Sequence, residues 1–322
     1  MRHNFCTLFD RNYLAKGLVL HSSLLSNCRD FTLYILCMDD LTYQILGKMN
    51  LYRVVLISLL EFETPDLLRV KKERTIAEYS WTCTANLCRY ILENKNIDEI
   101  TYLDADMKFY SDPQIIFDEI GDKSVAIIEH RFSKARKYFE KTGKYNVSWV
   151  YFKNDNEGRR AVSWWSNEVI KWCYNRYENG KFGDQKYLDD WPTRFNNVVV
   201  IKTKGAGIAP WNIDNYQIMK INNNIFVDNQ PLVFFHFHGF YFLERDKFIP
   251  AGNYYISKNL YNILYPPYFF DLKNVIESIK KIQSGFRVDF KKITISENYK
   301  LILSKIKILE TVFLLYKKWT GN

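Results

Sequence analysis

The first third of the chain alternates short apolar runs with amphipathic stretches of helical period. Apolar runs at residues 4–9, 31–38 and 52–58 predict buried strands, and the stretches between them, at about residues 13–28 and 41–49, predict helices. This β-α-β-α-β order predicts a parallel sheet with helices on both faces. In such sheets ligands bind beyond the carboxyl ends of the strands, so polar residues at those ends are candidates for a site.

The same patterns continue along the rest of the chain. They predict a long helix over residues 75–94, further strands at 125–129, 146–152 and 196–202, helices at 113–117, 156–177 and 185–191, and two or three strands within 216–237. Tyr265-Pro266-Pro267 predicts a boundary, followed by an amphipathic helix from Asp271 to Gln283 and a last helix after Ser296. We therefore expect an α/β domain over residues 1–258 and a basic helical C-terminal region over residues 259–322.

The composition favours a protein of the cytoplasm. The 322 residues are 47% hydrophobic, which is enough for a large core. Apolar runs stay well short of the ~18 residues of a membrane span, and the N-terminal residues do not follow a signal-peptide pattern. The six cysteines show no Cys-x-x-Cys spacing and are expected to be reduced core residues.

The positive charge of the chain is concentrated at its C-terminal end. The net charge is +9, and residues 271–322 hold 11 Lys and Arg against 5 Asp and Glu, a surplus of +6. A basic amphipathic helix with terminal aromatics suits the anionic cytoplasmic face of a membrane, and packing on the first domain or on a second subunit is the equal alternative. Because the surplus lies in the tail, nucleic acid is not the expected partner.

A pair of aspartates follows the most apolar strand of the middle region. In Ile100-Thr101-Tyr102-Leu103-Asp104-Ala105-Asp106-Met107, the two carboxylates are two residues apart and point to one side of an extended backbone. Two adjacent carboxylates repel each other unless a cation lies between them, and Mg²⁺ and Mn²⁺ prefer oxygen ligands and often keep substrate phosphates. The pair therefore indicates a metal–diphosphate site, and the alternative is a strand that ends in a solvated turn.

Two further groups could join this site. Arg89 lies on a polar stripe of the helix at 75–94, and it could reach a phosphate or a sugar hydroxyl if that helix packs beside the Asp104 strand. His236 and His238 alternate at a strand end in the same way as the aspartates and are candidate metal ligands. The basic segment 132–144 is either a loop over a phosphate-rich ligand or a solvated surface.

In chain order these motifs resemble a known family, the retaining nucleotide-sugar glycosyltransferases of family 8. The resemblance covers about residues 4–245 and rests on Asp10-x-x-Tyr13, Arg89, Asp104-x-Asp106, Asn146, Gly183-Asp184-Gln185, Trp211-Asn212 and His236-x-x-Gly239. It implies the GT-A fold, a Rossmann-like mixed sheet flanked by helices. It also implies a nucleotide-sugar transferase domain within residues 1–258.

The resemblance assigns the nucleotide-binding roles to three residues in the N-terminal third of the chain. Asp10 is expected to hydrogen-bond the nucleobase, Tyr13 to stack on it, and Arg89 to contact the diphosphate or the donor sugar. Asn146 and Gly239 occupy further donor-binding motif positions.

The resemblance also assigns the metal and the donor sugar. Asp104, Asp106 and His236 are expected to hold Mn²⁺ or Mg²⁺, with His238 as the alternative third ligand. Asp184 is expected to bind the donor sugar, with Gln185 under the anomeric carbon. For Asp184 a plain helix N-cap is the alternative.

Two positions depart from the family pattern. Ser148 stands where the motif at Asn146 has glycine, and Phe242 stands where the motif after Gly239 has a phosphate-binding lysine. Contact with phosphate on that side would fall to Arg245 or Lys247.

These observations predict a metal-dependent retaining hexosyltransferase. It would transfer a sugar from a nucleotide sugar, with UDP as the expected nucleotide, to a cell-surface glycan or a lipid-linked acceptor such as lipopolysaccharide. One alternative is a nucleotidyl or phosphoryl transferase with the same metal–diphosphate site, although the chain contains no Gly-x-x-x-x-Gly-Lys loop. The other is a non-catalytic protein that binds an anionic surface.

Overall fold

The computed structural model of the chain describes residues 2–244 and 246–292. Its strands, in chain order, are β1 (His3–Phe9), β2 (Phe31–Cys37), β3 (Val54–Ser58), β4 (Glu99–Leu103), β5 (Met107–Phe109), β6 (Val125–Glu129), β7 (Tyr145–Lys153), β8 (Val198–Ile201), β9 (Ile218–Ile221), β10 (Asn224–Val227), β11 (Gln230–Pro231), β12 (Phe234–His236), β13 (Tyr241–Glu244) and β14 (Lys247–Ile249). Its α-helices are α1 (Leu14–Asn27), α2 (Asp40–Met49), α3 (Leu59–Phe62), α4 (Pro65–Lys71), α5 (Ile76–Asn94), α6 (Gln114–Ile120), α7 (Asn156–Lys171), α8 (Trp191–Arg194) and α9 (Lys258–Ile282). Shorter 3₁₀ helices span Lys134–Thr142, Gln185–Asp190 and Ile213–Asn215.

Within the described residues, the centre of the fold is a seven-stranded sheet in the order β3-β2-β1-β4-β7-β6-β8. Strand β7 runs antiparallel to both of its neighbours, and the other pairings in this sheet are parallel. The predicted mixed α/β sheet flanked by helices is confirmed. Smaller pairings, β12 with β5 and β9 to β11 with one another, lie beside it.

The alternating side chains of the central strands supply two hydrophobic cores, one on each face of the sheet. On β1, Phe5 and Phe9 belong to the core that α1 covers, while Cys6 and Leu8 belong to the core that α5 covers. Successive side chains of a strand point to opposite faces, so this strand, which is buried along its whole length, contributes apolar side chains to both cores. The sheet thereby fixes the relative positions of all the loops at its carboxyl edge.

Local sequence signals explain where the helices begin. Thr75 and Glu78 form a reciprocal capping box at the start of α5, and the side chain of Asp39 caps α2 by accepting a hydrogen bond from the Thr42 amide. Both helices begin within one residue of the predicted start.

The boundary predicted at Tyr265-Pro266-Pro267 is wrong at the level of secondary structure, because α9 runs through both prolines. Proline inside a helix removes a hydrogen bond and normally interrupts it. Here Tyr265 and Tyr268 are fully buried in the core that includes α1, and this packing outweighs the local preference. The predicted last helix after Ser296 lies outside the described residues, and the division at residue 258 stays a prediction.

Two other predicted helices differ in extent or type. The helix predicted to reach residue 177 ends at Lys171, because Trp172 adopts an extended backbone that leads into the turn at Gly180. The helix predicted over residues 185–191 is a 3₁₀ helix, Gln185–Asp190, followed by the single turn α8. Among the described helices, none is both long enough and apolar enough to cross a membrane.

Candidate active site

A cavity of about 400 Å³ opens at the edge of the sheet where β1 and β4 end. The residues that line it come from elements far apart in the chain, and they include Leu8, Trp81, Thr84, Tyr102, Asp104, His130, Phe132, Phe139, Asn146, Asp184, Gln185, Trp211, His236, His238 and Tyr254. This is the edge at which open α/β sheets bind ligands. Several of the predicted site residues therefore meet in one place.

Asp104, Asp106 and His236 form a cluster that could hold a metal ion. Each offers one ligand atom, and these atoms all lie within 4.8 Å of one another. The aspartates stand in the short turn between β4 and β5, and antiparallel pairing of β5 with β12 places His236 opposite Met107. As a result, the His236 Nε2 atom lies 3.0 Å from Asp106 Oδ1 and 3.8 Å from Asp104 Oδ2.

The electrostatics of the cluster differ between its members. Burial raises the pKa of Asp104 to about 6, with Asp106 adding to the shift and His236 opposing it. Burial also opposes the charge on Asp106, but the adjacent His236 and Lys16 outweigh it and hold the pKa of that carboxyl well below its usual range. Burial disfavours the His236 cation, yet the hydrogen bond and charge of Asp106 raise its pKa overall.

This donor set fits a divalent cation. Two carboxylate oxygens and one imidazole nitrogen converge beside an open cavity, which leaves positions for ligand oxygens. The mutual repulsion of the two carboxylates would be relieved by a cation between them. His238, the alternative ligand, also lines the cavity, but it lies outside the cluster and its ring centroid is 5.7 Å from that of His236.

Asp184 and Gln185 line the same cavity, where Asp184 directly precedes a 3₁₀ helix and Gln185 is the first residue of that helix. Asp184 is 6% exposed and makes no side-chain capping hydrogen bond, so the plain N-cap alternative is not what the structure has. Burial raises its pKa to about 8, and the charge of Asp104 adds to the shift. The Trp165 indole N–H donates to the Asp184 carbonyl at 2.9 Å and fixes the backbone there.

The side chain of Gln185 is held at its nitrogen end. Its Nε2 donates to the Thr142 carbonyl at 3.1 Å, so its Oε1 remains available to a ligand. Thr142 belongs to the basic segment 132–144. This segment contains the 3₁₀ helix Lys134–Thr142 and contributes Phe132 and Phe139 to the cavity.

Asn146 reaches the cavity through an irregularity in β7. The pairing register between β6 and β7 shifts after Ile127, so that residues 147–149 form a bulge without partners in β6, while Trp149 still pairs with Leu103 of β4. The Asn146 Oδ1 atom accepts a hydrogen bond from the Ser148 amide and stabilises this bulge. Bulges of this kind commonly redirect side chains next to binding sites.

Asp10 and Tyr13 lie next to the cluster rather than in the cavity. Both Asp10 carboxylate oxygens accept hydrogen bonds within their own turn, from the backbone and side-chain nitrogens of Asn12 and from the Tyr13 amide. Tyr13 is 39% exposed at the start of α1. The exposed part of the tyrosine ring therefore lies beside Asp104 and Asp106, where it could meet a flat ligand.

The structure does not bring Arg89 to the site. Its guanidinium bonds to Glu93 on its own helix and to Ser166 and Asn167 on α7. Gly239 does not line the cavity either. It adopts a φ of +75° where a Cβ atom would lie 3.0 Å from the backbone of Ala251, so its role in the structure is to permit a tight turn.

Lys16 is a residue near the cluster that our sequence reasoning missed. Its Nζ atom lies 3.8 Å from Asp106 Oδ2, and its side chain is buried. A signal was present, since a lysine stands alone in the apolar stretch Leu14-Ala15-Lys16-Gly17-Leu18. A buried charge of this type usually has a specific partner.

Comparison with known proteins gives two kinds of relative. No family model matches the chain. Uncharacterized protein YfnD of Bacillus subtilis strain 168 is 33% identical over 288 residues, which cover 88% of this chain and 92% of YfnD. Uncharacterized protein YfnF of the same strain is 33% identical over 251 residues, which cover 74% of this chain and 82% of YfnF.

Solved structures share the fold at low sequence identity. The glycosyltransferase GlyE of Streptococcus pneumoniae TIGR4 matches with a TM-score of 0.51 at 14% identity over 91% of this chain, which spans 66% of the length of GlyE. The galactosyltransferase LgtC, crystallised with donor and acceptor sugar analogues, matches with a TM-score of 0.51 at 12% identity over 92% of this chain and 99% of its own. The architecture is therefore the GT-A fold. By its 33% identity to YfnD over 88% of its residues, the chain belongs to the family of that Bacillus subtilis protein.

Proposed function

We propose that the protein is a metal-dependent glycosyltransferase that moves a hexose from a nucleotide sugar to a glycan or glycolipid acceptor with retention of configuration. The observation that carries the proposal is the cluster of Asp104, Asp106 and His236 beside a cavity that also contains Asp184 and Gln185. The GT-A fold shared with GlyE and LgtC supports it.

In this proposal the cluster binds the diphosphate end of the donor. Asp104, Asp106 and His236 would hold Mn²⁺ or Mg²⁺. Such a cation, when bound, stabilises the negative charge that develops on a departing nucleoside diphosphate. Asp10 and Tyr13 would bind the base, for which uracil is the expected identity. Asn146 would shape the donor site, and Gly239 would act on it only through the turn that it permits after His236.

Asp184 and Gln185 would hold the donor sugar. Burial raises the pKa of Asp184 to about 8 in the metal-free protein, which favours its protonated form, and a protonated carboxyl can donate a hydrogen bond to a sugar hydroxyl. The free Oε1 of Gln185 is a weak nucleophile, which favours attack of the acceptor on the same face as the leaving group over a covalent intermediate. A covalent sugar adduct on either residue, detected by mass spectrometry of the intact protein, would contradict this step.

The acceptor would enter through the aromatic part of the cavity. Phe132, Phe139, Trp211 and Tyr254 line it, and aromatic faces stack well on the apolar faces of sugar rings. We place the reaction in the cytoplasm, with a lipid-linked acceptor such as lipopolysaccharide brought near by the basic residues of the C-terminal sequence.

The test is a screen of UDP- and GDP-sugars for binding and for hydrolysis, with Mn²⁺ and with a chelator. Wild type is compared with Asp106→Ala and with Asp122→Ala, a change at an exposed aspartate outside the cavity. We expect one donor to bind and to release its nucleoside diphosphate slowly in the presence of Mn²⁺, with both activities lost in Asp106→Ala and kept in Asp122→Ala. Release of a nucleoside monophosphate or transfer of phosphate would instead indicate a nucleotidyl or phosphoryl transferase. If no nucleotide sugar binds with or without metal, the proposal is wrong.

A further inference from the structure

Lys16 is a buried cation beside the metal cluster, and it is not one of the three residues that could ligate the metal. It lies in the first turn of α1, three residues after Tyr13, and is 5% exposed. Its Nζ atom is 3.8 Å from Asp106 Oδ2, 4.0 Å from the centroid of the Tyr13 ring and 5.9 Å from that of Tyr241. Removing an ammonium group from water is costly unless an anion compensates it, so this position needs an explanation.

The charge balance around Lys16 changes when a metal binds. Among the described residues, Asp106 is the carboxylate that contacts Lys16. A divalent cation held by Asp104 and Asp106 would neutralise both carboxylates. The charge of the buried Lys16 side chain would then lack a counter-ion, and an anionic ligand could supply it.

The position of Lys16 also matches the path of a nucleoside diphosphate. Its Nζ atom lies 4.0 Å from the centroid of the Tyr13 ring and 3.8 Å from Asp106 Oδ2, so it is close to both. A ligand whose base lies against Tyr13 and whose phosphates reach a cation at Asp106 must pass this ammonium group. Phosphate oxygens are strong acceptors for a lysine donor.

We propose that Lys16 binds the diphosphate of the nucleotide-sugar donor directly, an inference that rests on the proposed function. On binding, Lys16 exchanges its contact with the face of the Tyr13 ring for charge-assisted hydrogen bonds to phosphate, and the ring becomes free to meet the base. The competing explanation is that Lys16 only orients Asp106 for the metal.

The experiment separates these explanations by measuring three affinities on the full-length protein. UDP binding is measured by calorimetry in saturating Mn²⁺, uridine binding by ligand-observed NMR, and Mn²⁺ binding without nucleotide by electron paramagnetic resonance. Lys16→Met and Lys16→Gln both remove the charge, and the second keeps a hydrogen-bond donor. Lys48→Met, at an exposed position on α2, is the matched control, and thermal unfolding establishes which variants are folded.

We expect UDP affinity to fall about tenfold to a hundredfold in both Lys16 variants, as for the loss of a hydrogen bond to a charged group. Uridine affinity should stay within about twofold, and Mn²⁺ affinity should be unchanged or increased because a nearby positive charge has been removed. A folded Lys16 variant with wild-type UDP affinity overturns the inference, as does a parallel loss of Mn²⁺ affinity, which would assign Lys16 to orienting Asp106. If wild type binds neither UDP nor GDP in Mn²⁺, the proposed function fails and this inference fails with it.

Discussion

The two aspartates of the cluster are predicted to have opposite effects on the stability of the metal-free protein. Asp106 lies 3.0 Å from the His236 imidazole and 3.8 Å from the Lys16 ammonium, so its ionised form stabilises the fold. Asp106→Asn removes that charge and leaves a buried lysine without its counter-ion. Loss of one partner in a buried charged pair costs several kcal/mol, and because asparagine can still accept one hydrogen bond we expect a loss of about 2–3 kcal/mol.

The charge of Asp104 is predicted to have the opposite effect and to destabilise the metal-free fold. Its pKa is raised to about 6 in the folded protein, above the ordinary value near 3.9. Ionisation of Asp104 therefore lowers the unfolding free energy as the pH rises from about 3.9 to about 6, and the full loss persists at higher pH. One pKa unit corresponds to about 1.4 kcal/mol, and since 30% of the Asp104 side chain is exposed we expect a cost of only about 1–2 kcal/mol at pH 8. Asp104→Asn removes this cost and should leave the metal-free protein as stable as wild type or more so.

The assay is urea unfolding at pH 8, first with EDTA and then with excess Mn²⁺. With EDTA the expected order of unfolding free energy is Asp104→Asn at or above wild type, and Asp106→Asn lowest. A ligand present at about 100 times its dissociation constant adds about 2.7 kcal/mol to the stability of a protein that binds it. Mn²⁺ should therefore stabilise wild type and neither variant. An Asp106→Asn variant as stable as wild type in EDTA would refute the electrostatic reasoning.

Two other predictions concern stability away from the site. The buried His3 hydrogen-bonds Glu99, and although burial opposes its charge, this contact and a second hydrogen bond, to a glutamine, raise its pKa. The stabilisation from protonated His3 is therefore complete below about pH 6.5 and is lost as the pH rises through the raised pKa. The unfolding free energy of His3→Gln should fall further below that of wild type at pH 5.5 than at pH 8.5. An equal difference at the two pH values would argue against this reasoning. A Cβ atom at Gly205 would collide with the Pro231 carbonyl, so Gly205→Ala should lower the unfolding free energy by about 2–3 kcal/mol. A Cβ atom at Gly47 would meet open space on an exposed helix, so Gly47→Ala should raise the unfolding free energy slightly. Similar unfolding free energies for the two variants would contradict this prediction.

The sheet and its polar edge could be predicted from local patterns, because they depend on the period of apolar residues. The run that ends at Leu103 predicts a buried strand, and the structure places Asp104 and Asp106 directly after it. The mixed direction of the sheet is a tertiary feature. Strand β7 is antiparallel to β4, and no local pattern in either strand indicates it.

The other site residues depend on packing between distant elements. The alternation of His236 and His238 does not distinguish them, although the His236-x-x-Gly239 motif favours His236. The pairing of β12 with β5 places His236 beside the aspartates. Arg89 lies on a polar stripe, but α5 packs against both the sheet and α7, and the arginine is on the side that faces α7. The prolines in α9 are tolerated for the same kind of reason, because buried tyrosines around them hold the helix in place.

The most direct test of the account is the affinity for Mn²⁺ of wild type, His236→Ala and His238→Ala, measured by electron paramagnetic resonance. Both histidines line the cavity, but only His236 belongs to the three-residue cluster among the described residues. We predict that wild type binds Mn²⁺, that His236→Ala weakens binding by at least about tenfold, and that His238→Ala stays within about twofold of wild type. An equal loss in the two variants, or no Mn²⁺ binding by wild type, would contradict the assignment of Asp104, Asp106 and His236 as the metal site.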